Sequence, residues 1–166
     1  PLFKADTVSV RLAITPLLRG ALEATEIELV KPVVRLVLNE RGGGTWQTLG
    51  QQQTASAYLP SSISLNQVTI TGGTLSVVEA DGMTERLGVD HISGDLSAVD
   101  LKGPYKFRGT AGQGNGAQDV RLQANAPEAD GSVRVAATLK AMTGQMSSRF
   151  EGFIKDISGT PRFEGQ

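Results

Sequence analysis

Cysteine is absent from the 166 residues, and histidine occurs once, as His91. The first absence excludes a disulfide scaffold and any thiolate-bound metal. The second makes a zinc hydrolase or a Ser-His-Asp triad improbable. Aromatic residues are 5% of the chain, so a core must be aliphatic. No apolar run approaches the ~18 residues of a membrane-crossing helix, and no signal peptide is visible. Neither charge sign is in excess, with 16 Lys plus Arg against 17 Asp plus Glu. That balance argues against nucleic acid as the main partner. The Gly-x-Ser-x-Gly elbow of serine hydrolases is also missing. The chain opens Pro1-Leu2-Phe3 without an initiator Met and stops in the strand-like Arg162-Phe163-Glu164. The expectation is a piece of a longer protein.

What the chain does contain is alternation. Val8, Val10, Leu12 and Ile14 alternate with Thr7, Ser9 and Arg11. Val34, Leu36 and Leu38 flank Arg35. Val120, Leu122 and Ala124 alternate with Asp119, Arg121 and Gln123, and Val133, Val135, Ala137 and Leu139 with Arg134, Thr138 and Lys140. Successive strand side chains point to opposite faces, so each run wets one side and buries the other. Asp81-Gly82, Asn115-Gly116 and Asp130-Gly131 separate runs and have hairpin-turn composition. The pattern predicts an antiparallel meander. One short helix is expected near 15–19, with Thr15 as cap, Pro16 at the first helical position and Gly20 as stop. One turn is unstable alone, so Leu17 and Leu18 are expected to lean on the sheet.

An internal repeat is present. Residues 26–37 (EIELVKPVVRLV) resemble 67–78 (QVTITGGTLSVV), with Ile27, Leu29, Val34 and Leu36 matching Val68, Ile70, Leu75 and Val77 at an offset of 41. Each copy reads strand, break at Lys31-Pro32 or Gly72-Gly73, strand. Repeats at such a period imply an open array whose neighbours bury one another. The apolar parity also slips between Leu65 and Val68, which predicts a bulge or break at Asn66-Gln67. The organisation expected is a first repeat unit at 1–46, a polar loop or linker at 47–62, and a second unit with meander at 63–166, all in one continuous domain.

Motifs that invite a chemical reading have plain structural readings. Gly112 to Gly116 is Gly-rich but lacks the helix start and the Lys-Ser/Thr of a phosphate loop, so a flexible turn is expected. His91 lies near Asp90 and Asp95, and a satisfied or exposed surface histidine is expected there. Asp81, Glu85, Asp90, Asp95 and Asp100 lack EF-type spacing and read as a solvated face. Trp46 reads as a core plug rather than a lipid-facing anchor. No catalytic, cofactor or metal residues are assigned, and an enzyme is not expected.

These residues resemble the AsmA family of bacterial cell-envelope proteins. The resemblance rests on Val8 to Ile14, Pro16-Leu17-Leu18-Arg19-Gly20, Ile27, Leu29, Pro32, Val34, Leu36 and Gly42-Gly43-Gly44-Thr45-Trp46. A second block is Val68 to Leu75, Asp81-Gly82, Gly103-Pro104 and Gly109. Thr45 stands where Asn is common. The resemblance implies a periplasmic protein anchored in the inner membrane outside this segment. It also implies long, curved, repeating β-grooves with an apolar inner face, and roles in outer-membrane biogenesis and phospholipid transport.

The fold expected is all-β: an antiparallel, twisted and curved sheet, a groove or half-barrel of repeated units. Interspersed Ala124, Ala126, Ala137, Ala141 and Gly152 favour curvature or room for an acyl chain. The candidate lipid-facing residues are Val120, Leu122, Val133, Val135, Leu139, Phe150 and Ile154, with phospholipid acyl chains as partner. The alternative is a closed β-sandwich acting as a structural or protein-interaction module. Self-association through sheet edges is expected of an open array.

Overall fold

The computed structural model describes residues 3–19, 24–37, 65–98, 103–126, 128–129, 132–144, 146–155 and 162–166. Its strands are β1 (Phe3–Lys4), β2 (Thr7–Leu12), β3 (Ala24–Val30), β4 (Val33–Val37), β5 (Leu65–Val78), β6 (Glu85–Ala98), β7 (Tyr105–Ala111), β8 (Gln118–Ala124), β9 (Val133–Ala141), β10 (Ser147–Lys155) and β11 (Arg162–Gly165). A single helical turn, α1 (Ile14–Leu17), lies between β2 and β3. All eleven strands belong to one open, curled sheet. The strands of both repeat units therefore share it. No second sheet faces it among the described residues, so the closed sandwich is not the architecture found.

From β5 to β11 every neighbour is antiparallel and consecutive in sequence. The N-terminal part departs from the expected meander. β3 and β4 both pair with β5 in parallel. The register explains this. Ile27 lies opposite Val68, Leu29 opposite Ile70, Val34 opposite Leu75 and Leu36 opposite Val77. Every parallel partner is 41 residues away, so the two repeat copies lie side by side in phase. Like sequences in phase must run the same way. A parallel pair needs a long crossover, and the segment that supplies it, including the expected linker at 47–62, lies outside the described residues. β1 and β2 then pair antiparallel with β4 and β3.

The sheet bends along one line. Lys31 and His91 have φ of 49° and 51°, and Gly72 has φ of 66°. From Ile70 to Gly73, β5 advances three residues while β6 advances two. From Gly73 to Leu75 the excess passes to β6, through Asp90 and His91. These are β-bulges, which bend a strand and flip its subsequent facing by one residue. A similar extra residue lies between Leu65 and Val68, at the expected Asn66-Gln67 slip. At the bend Pro32 sits beside Gly73, where an added Cβ would lie 3.2 Å from the proline Cγ. The Lys31 amide donates to Thr71 O at 2.7 Å, and the Thr74 amide to Pro32 O at 2.8 Å. The ladder thus resumes on both sides of the proline.

The helix differs from its sequence-based bounds. Its N-cap is Ala13 and carries no side-chain cap; Thr15 lies inside the turn. Pro16 is accommodated because first-turn amides have no intrahelical partner. Ile14, Leu17 and Leu18 are exposed instead of leaning on the sheet. Gly20 lies outside the described residues. Asp81-Gly82 forms the β5–β6 turn, whose Gly82 carbonyl accepts a bond from Arg35. Asn115-Gly116 lies in a 3-10 turn in the β7–β8 connection. That connection is longer than a two-residue hairpin, and its positive φ values fall at Gly112 and Gly114. Asp130-Gly131 lies outside the described residues.

Two predictions follow from the packing. Gly94 and Gly109 face each other across β6 and β7. A Cβ on Gly109 would overlap the Ser93 carbonyl oxygen, lie 2.7 Å from Gly94 Cα, and lie 2.9 Å from Phe107 Cζ. Gly116 has open space around it. Gly109→Ala is expected to cost ~1–3 kcal/mol through overpacking, while Gly116→Ala stays within about 0.5 kcal/mol. Urea melts of both variants check this; equal midpoints would contradict the close approach.

The second concerns Asp81. Its carboxylate accepts the amides of Met83 and Thr84 at 2.8 and 2.9 Å and the Thr84 hydroxyl at 2.7 Å. These bonds, the Thr84 amide foremost, hold its pKa below the ordinary value. The resulting stability is present at neutral pH and is lost as pH falls through the lowered value. Urea midpoints of the wild type and Asp81→Asn should differ at neutral pH and begin to converge only as pH falls below about 4, toward the lowered value. A gap independent of pH would contradict a role for the charge.

Candidate functional site: an uncovered apolar face

The register extends the alternation of each strand into rows that cross eight of the eleven strands. One row reads Val10, Ile27, Val68, Leu96, Phe107, Leu122, Ala137, Phe150 over eight strands. Its neighbour on the same face reads Val8, Leu29, Ile70, Gly94, Gly109, Val120, Leu139, Ser148. Beyond the bend the face continues with Phe3, Val34, Leu75 and Val89. The parity of the apolar residues changes at the bend: Ile27 and Leu29 are odd, Val34 and Leu36 even. Val68 and Ile70 are even, Leu75 and Val77 odd. The bulges absorb that change, so the apolar residues stay on one side.

This face is sheltered but not covered. Val68 and Val133 are buried, at 5% and 7% exposure, while Val10 and Phe150 keep 51% and 44%. Val120, Leu122, Val135, Leu139 and Ile154 are half-buried. No described large side chain is fully buried. Along β8 the exposure alternates, with Arg121 and Gln123 exposed and Val120, Leu122 and Ala124 half-buried. Such partial shelter fits a sheet that curls toward its apolar side.

The structure brings the seven sequence-predicted residues together. Val120 lies opposite Leu139, Val133 opposite Ile154, and Leu122 and Phe150 flank Ala137 from either side. Val135 lies opposite Ala124 and Gly152, so the small residues open space beside it. Val133 is the one of the seven with little accessible surface. The prediction missed the other half of the face. Val8, Val10, Ile27, Leu29, Val68 and Ile70 belong to the same rows. The signal was the 41-residue repeat, whose in-phase stacking carries the apolar parity from β3 to β5.

The opposite face is polar. One of its rows reads Ser9, Glu28, Thr69, Asp95, Arg108, Arg121, Thr138, Arg149. The Thr69 hydroxyl donates to Asp95 at 2.9 Å. Arg134 pairs with Glu151 at 2.5 Å, and that bond and charge lower the Glu151 pKa. His91 is exposed, with Nδ1 3.3 Å from Asp90 Oδ1. It borders a cavity of about 430 Å³ at the bend with Lys4, Asp6 and Lys31. Asp95 is engaged by Thr69 and Gln67 instead, so His91, Asp90 and Asp95 form no relay. No group of three or more His, Asp or Glu suited to a metal occurs among the described residues. Trp46 lies outside them. No helix of the described residues is long and apolar enough to cross a membrane. Comparison of the chain with protein-family models, with curated proteins and with solved structures finds no match.

Proposed function

We propose that this chain is a segment of a periplasmic, AsmA-like protein of the cell envelope whose apolar sheet face shields phospholipid acyl chains in transit. The observation that carries the reading is the apolar face that runs across eight strands, left without a covering layer among the described residues. Large exposed apolar patches mark interaction surfaces. Eight strands at ~4.8 Å span ~34 Å from first to last. That exceeds the ~15 Å depth of one leaflet's hydrocarbon, half of a ~30 Å core. Each methylene removed from water onto such a face contributes about 0.8 kcal/mol. The mechanism is passive shielding, with head groups left in water at the rim, and needs no proton or electron transfer. The protein would serve outer-membrane biogenesis by moving phospholipid, with its membrane anchor outside this segment.

The exposed edge strand favours a second use of the sheet. All six residues of β2 are exposed, and among the described residues β2 pairs only with β3. Edge pairing with another chain would extend the array. Light scattering against concentration checks it, and a strictly monomeric chain at high concentration would contradict it.

Leu139→Asp tests the acyl-chain reading. On an open face the new carboxylate meets water, so the urea midpoint should move little while binding of an apolar fluorescent probe falls. In a filled core the same change would bury an unpaired charge and cost several kcal/mol of a stability of about 5–15. A collapsed fold would overturn the reading, as would a stable variant that binds the probe like the wild type.

A further inference from the structure

Charge is distributed unevenly over the polar face. Strands β7 to β11 carry eleven charged residues, and alternation places every one of them on that face. Eight are cations: Lys106, Arg108, Arg121, Arg134, Lys140, Arg149, Lys155 and Arg162. Three are acids: Asp119, Glu151 and Glu164. The surplus is five positive charges on five strands, in a chain whose net charge is −1. Glu151 and Glu164 are engaged by Arg134, Arg149 and Lys155. Arg108 and Arg121 stand directly opposite one another, an arrangement that is destabilising between like charges. With Lys106 they line a cavity of about 290 Å³ that also takes in Asp95 and Gln123. Asp95, opposite Arg108 across β6 and β7, offsets one of the three cations at this cavity, and an external anion above it would offset the remaining two.

We propose that the polar face of β7–β11 docks on the surface of an anionic phospholipid bilayer. The surface is a grid of side chains on adjacent strands, about 19 Å across at ~4.8 Å per strand, which suits a planar array of phosphates. Cations brought close to an anionic leaflet contribute to binding roughly additively. A single-stranded nucleic acid would need aromatic platforms. Phe153, the aromatic residue at polar-face parity in these strands, lies beneath the Arg134 guanidinium, 5.9 Å from ring centroid to Cζ. The acids Glu28 and Asp95 fall on β3 and β6, so the face is polarised, and its basic half would meet the membrane. Docking uses the face opposite the apolar rows, so it stands independently of the acyl-chain reading.

The test is co-sedimentation of the 166-residue chain with vesicles of phosphatidylcholine alone, or of phosphatidylcholine with about a third phosphatidylglycerol. The account predicts binding to the anionic vesicles at low salt and its loss at high salt, because surface charge is screened. Lys106→Gln/Arg108→Gln/Arg121→Gln should weaken that binding on the order of a hundredfold. Lys4→Gln/Arg11→Gln/Arg86→Gln, which removes the same charge elsewhere, should change it little. Circular dichroism of both triple variants verifies the fold, and single Arg121→Gln replaces the first triple if that one unfolds. Equal binding to both vesicle types would overturn the proposal and point to the apolar face alone. Equal weakening by both triple variants would overturn it too, as would salt-sensitive binding to heparin with none to anionic vesicles.

Discussion

A β-strand reverses its facing with every one-residue slip, and this sheet slips repeatedly. β5 gains a residue at Asn66-Gln67 and another at Thr71-Gly72, and β6 gains one at Asp90-His91. Each slip would turn the next apolar residue to the wrong side if the sequence kept its parity. It does not: Ile27 and Leu29 give way to Val34 and Leu36, and Val68 and Ile70 to Leu75 and Val77. The backbone conformations that permit the slips, at Lys31, Gly72 and His91, are aligned on neighbouring strands. Bend, register and one-sidedness therefore depend on a single condition, that backbone and sequence change phase at the same place.

Much of the sheet was legible because alternation is a local signal. The strands around Val8, Val34, Val120 and Val133 are legible there, as is a slip at Asn66-Gln67, which the structure makes a bulge. The parallel pairing was not, although its cause was visible. Two copies of one sequence at a fixed offset stack in phase only by running in the same direction, whereas a meander reverses direction at every turn. The helix failed at its cap because a single turn has too few residues for capping signals to outweigh its connections. Thr15 and Ala13 compete for that role over two positions, and the backbone selects Ala13.

The openness of the apolar face was beyond the sequence, since alternation looks the same whether a second layer covers it or not. Only the accessible surface kept by Val10, Leu87 and Phe150 separates the two cases. The basic patch was hidden for another reason. Summed by segment, residues 104–166 hold eight cations and six acids, and three of those acids, Asp119, Glu151 and Glu164, belong to the described strands. Sorting the charges of these strands by parity places the surplus of cations on one side.

The sheet is thus two surfaces back to back, one without charge and one rich in it, held apart by a single layer of backbone. The central claim is that acyl chains lie on the first. The absence of cysteine makes a direct measurement simple. Leu122→Cys and Arg121→Cys place one fluorophore on either side of the same strand, adjacent in sequence. Phosphatidylcholine with brominated acyl chains, which carries no net charge to draw the basic face, should quench the label at position 122 and leave position 121 unchanged. Equal quenching at both positions, or none at 122, would contradict the account.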